Sequence, residues 1–298
     1  MPSWQDFQPF LVTGLALGGV YALSGVGMVV LFRATGVLNL SFGAVGAMGA
    51  LIAWQAINVW GVAPGVGWLI CVLFAAALTT VYGLIFGNAL AKRDPLVKAT
   101  ATLGFALLLL GAMDLLWTTS GGAARSLPLP TDNSGFSISG VTIDWTQVIG
   151  LVIGIVIAIA TTLFLRYTKL GTAMRAMASD REITAMLGVP VNRVLAAAWF
   201  GCGVLAGISG LLLADLVALD ATTLTFLVIS SVAAALIAQL RSIAVTFVAA
   251  VVIGVITSMI TPIQSITNYA NMTPFVLAVI ALLVISGRQT ISLERGGI

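Results

Sequence analysis

Long apolar runs decide the solvent this chain folds in. Residues 9–32, 66–90, 97–117, 147–165 and 194–214 hold only Lys98 and Asp114 as charged side chains. A helix crossing the hydrocarbon core of a bilayer needs about 20 mostly apolar residues. In lipid every backbone polar group must be paired internally, which leaves helices or closed barrels. Barrel strands are short and alternate in polarity, so runs of this kind read as helix. Four further runs, 37–54, 223–240, 243–261 and 273–287, extend the pattern. The expected fold is all-α: a polytopic bundle of about nine transmembrane helices forming one domain over 1–298. Only 8% of residues are charged, against about 25% in soluble proteins, and no polar stretch is long enough to build a second core. The start, "MPSWQDFQPF", lacks the basic residues and cleavage site of a signal peptide, so the first run is expected to stay in the mature chain.

The charges fix an expected orientation. With the N-terminus outside, 12 of the 13 Lys and Arg fall on the cytoplasmic side, and only Arg125 lies outside. Asp6, Asp114, Asp132, Asp144, Asp215 and Asp220 lie outside, against Asp94, Asp180, Glu182 and Glu294 inside. The positive-inside rule therefore predicts N-out, C-in. It also accounts for the basic balance of the chain without a nucleic acid. Histidine is absent. Cys71 and Cys202 sit in separate apolar runs and read as small packed residues, not as a disulfide or metal pair. No metal set, acid pair or nucleophile with its base stands out, so neither a catalytic residue nor an enzyme is expected. No ionisable residue lies at the centre of a span, which disfavours a proton pump or an ion-coupled carrier.

Two loops are long. The outer one, about 118–146, is rich in Gly, Pro, Ser and Asp and suggests a hairpin over Phe136 to Ile143. It is either a plain connection or a docking surface for an extracytoplasmic partner. The inner one, about 166–193, is amphipathic. Ser179 with Glu182 has the form of a capping box, and Gly188 and Pro190 supply a stop. The spacing predicts a helix from Asp180 to Leu187, preceded by one from Gly171 to Ala178. Ile183, Met186 and Leu187 then share an apolar face. Either it lies back on the protein or the lipid interface, or it inserts into a groove of a cytoplasmic partner.

One segment breaks the apolar rule. "RATGVLNLSFGAVGAMGA", 33–50, places Asn39 and Ser41 among apolar residues, with Gly43, Gly46 and Gly49 following. Polar groups at membrane depth are costly unless satisfied inside the protein. One reading is a tight helix seam closed by small residues. The other is an interrupted helix lining a solute path, with Asn39 and Ser41 offering hydrogen bonds, Phe42 an apolar wall and Gly43 room. Thr100 and Thr102 form a second small-polar cluster that could line the same path.

These segments carry a resemblance. "TKLGTAMRAMASDREITAMLGVPVNRV", with "FGCGVLAGISGLL" after it, resembles the cytoplasmic coupling segment and next span of bacterial branched-chain amino acid ABC importer permeases. "TGVLNLSFGAVGAMGA" resembles their second-span motif, and the likeness runs from about residue 9 to 288. It implies a multi-pass permease subunit of the bacterial inner membrane, working by alternating access. It implies as partners a second permease, related or identical, two cytoplasmic ATPases and an extracytoplasmic solute-binding protein. The family's coupling segment maps onto Gly171, Arg175, Ala176, Asp180, Ala185 and Gly188, with Glu182 of the capping box beside them. The chain has no G-x-x-x-x-G-K-[ST] phosphate loop, so ATP and magnesium belong to partner chains and this one needs no cofactor. Relatives carry urea, short amides or other small solutes, and sugar permeases are more distant kin. Many members place a histidine or similar polar residue where this chain has Phe42, which points to a more apolar or aromatic solute. A stand-alone secondary carrier or channel is the alternative.

Overall fold

The computed structural model describes residues 4–91, 93–117, 125, 127, 135–138, 141–217, 219–263, 270, 272–281 and 283. The helices are α1 (Trp4–Thr35), α2 (Phe42–Asn58), α3 (Pro64–Ala91), α4 (Pro95–Trp117), α5 (Trp145–Tyr167), α6 (Lys169–Ser179), α7 (Arg181–Met186), α8 (Val191–Leu216), α9 (Ala221–Ile237) and α10 (Ile243–Ile260). Residues 273–281 are helical again. The expected hairpin forms between β1 (Gly135–Ile138) and β2 (Val141–Asp144), with Phe136 opposite Ile143. Most of the 118–134 stretch, the end of the last apolar run beyond 283, and Arg288, Glu294 and Arg295 lie outside the described residues.

Among the described residues, six helices are long and apolar enough to cross a membrane: α1, α3, α4, α5, α8 and α10. Two more of the expected spans are apolar but short. α2 and α9 have 17 residues each, about 25 Å at 1.5 Å per residue, against a hydrocarbon core of about 30 Å. Each is short for a local reason. The run at 37–54 spends its first residues in a non-helical linker, and the run at 223–240 ends in a turn where Gln239 (φ 52°) and Leu240 (φ 56°) are left-handed.

α1 is the axis of the bundle. Its most apolar window is 83% buried, whereas those of α4 and α5 are 22% buried. α4 and α5 present outward-facing apolar rows, with Leu108, Leu115, Val156 and Ile159 exposed, as suits lipid or another membrane chain. The inner helices meet backbone to backbone. A Cβ built on Gly18 of α1 would lie 2.6 Å from Val251 Cα of α10, and one on Gly19 would lie 2.7 Å from Leu151 Cα of α5. One on Gly207 of α8 would lie 2.8 Å from Val72 Cα of α3. In lipid, apolar area drives helices together only weakly, so such close approach supplies much of the packing.

The helix ends fall into two groups. Arg33, Lys98, Arg181 and Arg241, from four separate elements, meet around one cavity at one end. At the other end the Arg125 guanidinium sits 5.0 Å from the centroid of the Trp54 ring and donates to the Trp117 carbonyl at 2.5 Å. Trp117 Nε1 donates to Gln55 Oε1 at 3.2 Å, and Gln147 Nε2 donates to Thr13 Oγ1 at 3.3 Å. Successive helices thus run between a cation-rich end and an aromatic end.

The close contacts make a sharp test. Gly18→Ala pushes a methyl into the α10 backbone and should cost about 1–3 kcal/mol. Gly111→Ala, at a position with nothing within 4 Å of the new Cβ, should leave stability unchanged or slightly raised. Denaturant titration of the detergent-solubilised variants reads both.

Candidate functional site

The polar break belongs to the junction between α1 and α2. Gly36 is left-handed (φ 67°) and ends α1. Thr35 Oγ1, itself bonded to the Leu31 carbonyl, accepts from Val37 N at 3.1 Å. Residues 37–39 are non-helical, and Asn39 is fully buried. Its amide is spoken for on both sides. Asn39 Oδ1 accepts from Ser41 N at 3.1 Å and from Ser41 Oγ at 2.6 Å. Asn39 Nδ2 donates to Cys202 Sγ of α8 at 3.6 Å. Ser41 is the N-cap residue of α2. Thr102 of α4 closes the cluster: its hydroxyl oxygen accepts from Leu40 N at 3.1 Å and lies 2.9 Å from the carbonyls of Leu38 and Ala99.

Thr100 does not join this cluster. It is exposed and donates back to the Leu96 carbonyl at 2.8 Å. Residues two apart on a helix point to different faces, so only one of the two threonines can reach the junction. The interruption also sits earlier than the glycine run. Gly43, Gly46 and Gly49 lie inside regular helix, and each faces a different neighbour. A Cβ on Gly43 would lie 2.6 Å from the Thr225 carbonyl of α9, one on Gly46 2.7 Å from the Ala206 carbonyl of α8, and one on Gly49 3.0 Å from Cys71 Sγ of α3. Phe42 is buried and its ring packs on Gly27 of α1.

This seam is closed. The cavity bounded by Ser24, Phe42, Gly43, Gly46, Ser209 and Ser231 amounts to about 10 Å³, roughly room for one water. Two hydroxyls on α9 are missed by reading the sequence. Thr225 Oγ1 and Ser231 Oγ are buried and make no hydrogen bond, although Ser231 lines the cavity. Hydroxyls in membrane helices commonly bond back to their own helix, as Ser24 and Ser209 do here, so sequence alone does not separate the two kinds.

The second element projects from the cation-rich end. α6 is seated on the bundle through Gly171, Met174 and Met177, all buried. A Cβ on Gly171 would lie 2.5 Å from Leu165 Cα at the end of α5. Asp180, not Ser179, caps α7: its Oδ1 accepts from Glu182 N and Ile183 N, both at 2.9 Å. Ser179 belongs to the last turn of α6 and points its hydroxyl at the Arg175 carbonyl, 3.4 Å away. The extended backbone of Asp180 (φ −156°, ψ 115°) separates the two helices and aims its carboxylate at the free N–H groups. Gly188 (φ 80°) ends α7. Its N–H donates to the Ala185 carbonyl at 3.0 Å and Val189 N to the Thr184 carbonyl at 3.4 Å, the double closure of a Schellman turn.

Arg175, Ala176, Asp180, Glu182, Ala185 and Gly188 are exposed, whereas Gly171 is buried under α5. The apolar face of α7 is open too: Met186 is 85% and Leu187 77% exposed. It does not fold back on the chain's own described helices.

An apolar helical bundle with shortened inner helices, a closed polar seam and an uncovered amphipathic element at one end is the build of a membrane transport subunit. The chain belongs to the family described as "Branched-chain amino acid transport system / permease component", whose profile matches residues 10–285. It is 28% identical over 224 residues, 72% of each chain, to the high-affinity branched-chain amino acid transport system permease protein BraD of Pseudomonas aeruginosa. It is 23% identical over 291 residues, 92% of each chain, to the corresponding permease protein LivH of Escherichia coli K12. A probable permease protein LivH of Methanocaldococcus jannaschii is 28% identical over 252 residues, 80% of this chain and 76% of the relative.

Asn39→Leu removes the acceptor of both Ser41 bonds and strands a buried N–H. A loss of about 1–3 kcal/mol is expected, read by thermal unfolding in detergent. Thr100→Val should stay within about 0.5 kcal/mol of the parent.

Proposed function

We propose that this chain is the permease subunit of an ABC importer of the bacterial inner membrane, passing branched-chain or related amino acids inward by alternating access. In this reading about nine segments cross the bilayer, N-out and C-in. α2 with its preceding linker and α9 with its following turn count among them, together with the run that includes 273–281. The gathering of Arg33, Lys98, Arg181 and Arg241 at one end, with Arg125 at the other, supports that orientation through the positive-inside rule.

The observation that carries the reading is the open face of α7. Ile183, Met186 and Leu187 lie on a helix capped at both ends and attached to the bundle through α6. An apolar face held rigidly in water suits a groove on a partner, here a cytoplasmic ATPase that binds ATP and magnesium. Two such ATPases, a second permease and an extracytoplasmic solute-binding protein complete the assembly. The seam of α1, α2, α8 and α9 is the solute path, held shut in this conformation. Asn39, Ser41 and Thr102 shape its cytoplasmic end at the α1–α2 junction, and Ser231 and Thr225 offer hydroxyls once it opens. Phe42 supplies an apolar wall, which suits a solute with an apolar side chain better than urea or a short amide.

The test uses tagged full-length chain in its native membrane. Wild-type chain should bring down an ATPase and support ATP-dependent leucine uptake in vesicles, with valine and isoleucine competing and urea not. Met186→Glu, at an exposed position, should leave thermal stability unchanged yet lower ATPase recovery about tenfold or more, as loss of an interface anchor does. Uptake that persists without ATPase and follows an ion gradient would establish a stand-alone carrier instead.

Ser231→Ala separates path from packing. Deleting an unsatisfied buried hydroxyl should leave stability equal or higher, while KM for uptake rises. A fall in stability with unchanged KM would make Ser231 a packing residue only.

A further inference from the structure

We propose that the cavity at the cation-rich end is a binding site for a phosphate group. It is distinct from the solute seam and from the open face of α7. Its volume is about 470 Å³, and Arg33, Lys98, Arg181 and Arg241 line it. These cations come from the end of α1, the first turn of α4, the start of α7 and the turn after α9, so they meet only through the fold. No described lining residue is acidic. Asp94, Asp180 and Glu182 are near in sequence but exposed, and the Asp180 carboxylate is engaged in capping α7. Arg181 has an interaction of its own, so the site rests on Arg33, Lys98 and Arg241.

Arg33 and Lys98 are half-buried, so their charges repel across a space only partly screened by water. The C-terminus of α1 opens onto the same cavity through Thr35 and Gly36, and Lys98 Nζ lies 3.7 Å from a Cβ built on Gly36. That helix end supplies only about half a negative charge, too little for three cations. A dianionic or monoanionic phosphate completes the balance, and guanidinium groups match its oxygens bidentately. The volume exceeds one phosphate and leaves room for the group that carries it. Basic pockets between membrane helices recognise lipid headgroups in this way, and a soluble phosphate-bearing molecule presents the same chemistry.

The turn that presents Arg241 is built to hold it there. Two consecutive left-handed residues, Gln239 and Leu240, precede it. Their N–H groups donate to the Leu236 and Ala235 carbonyls, both at 2.8 Å, and Leu240 is buried against the cavity. The backbone is thereby committed to a costly conformation that places Arg241, itself exposed, on the wall of the cavity that Arg33 and Lys98 also line.

The test needs neither cargo nor ATPase, so it stands apart from the transport reading. Full-length chain is compared with Lys98→Gln/Arg241→Gln, and with Lys169→Gln/Arg193→Gln as a charge-matched control outside the cavity. Thermal unfolding is followed in detergent with inorganic phosphate against chloride at equal ionic strength. In parallel, native mass spectrometry counts phosphatidylglycerol retained from nanodiscs of phosphatidylcholine and phosphatidylglycerol. Wild type and control should bind one of the two probes, and the cavity variant should bind it roughly tenfold or more weakly. A response to phosphate identifies a soluble ligand, and retained lipid without that response identifies a headgroup. Equal behaviour of all three proteins, or no binding by wild type, would overturn the site. Should the double variant not fold, Arg33→Gln takes its place and is read the same way.

Discussion

Backbone contact at glycine is the constraint on which the rest of this bundle depends. Apolar side chains gain little by leaving lipid for a helix interface, so helices associate where backbones approach closely and dispersion contacts are dense. α1 meets α10 through Gly14 and Gly18, meets α5 through Gly19, and packs Phe42 of α2 through Gly27. Successive faces of one helix thus hold three neighbours. α8 repeats the device, with Gly203 and Gly207 toward α3 and Gly210 against Gly46 of α2. With α1 and α8 fixed, α2 and α9 are confined between them, and α4 and α5 are left to face outward, toward lipid or another membrane chain.

Confinement explains why the inner helices can be short. A shortened helix exposes terminal N–H and C=O groups, which lipid cannot satisfy. At the α1–α2 junction Asn39, Ser41 and Thr102 satisfy them from within the protein. After α9 the Gln239–Leu240 turn bonds back to the last carbonyls of the helix. Irregular backbone is thereby moved into the protein interior, where it is tolerated at membrane depth.

Much of this was legible in the residues, but unevenly. Apolar length and the sorting of Arg and Lys predict an all-α bundle with two unlike ends, because both follow from transfer energies that act residue by residue. The α6–α7 element was legible for the same reason, since Gly188 and Pro190 leave the chain few options. Ser179 with Glu182 has the form of a capping box, yet Asp180 caps α7, because two adjacent residues can each cap and only backbone direction chooses between them. Thr100 and Thr102 lie close in sequence, yet helical geometry sets them on different faces and only Thr102 reaches the junction. G-x-x-x-G pairs such as Gly14 with Gly18 and Gly203 with Gly207 stood in plain view, yet the sequence does not say which helix each pair meets. Arg33, Lys98 and Arg241 are more than 60 residues apart in sequence, and only the fold brings them together.

The chemistry of the seam also bears on how it opens. Side chains that interdigitate must unlock before helices separate, whereas glycine faces have nothing to unlock. Ser24 and Ser209 donate to carbonyls of their own helices, so those bonds survive when α2 and α8 part. Ser231 and Thr225 have no hydrogen-bond partner in this conformation, and in the proposed transport reading they would gain partners from water or solute on opening. Opening in that reading would lose dispersion contacts while exposing to solvent two hydroxyls that have no protein partner when the seam is shut. A seam built from glycine with unsatisfied hydroxyls along it sits closer to balance between shut and open than one built from interlocked leucines. In the proposed transport reading, small forces applied at α6 and α7 would suffice to bias it.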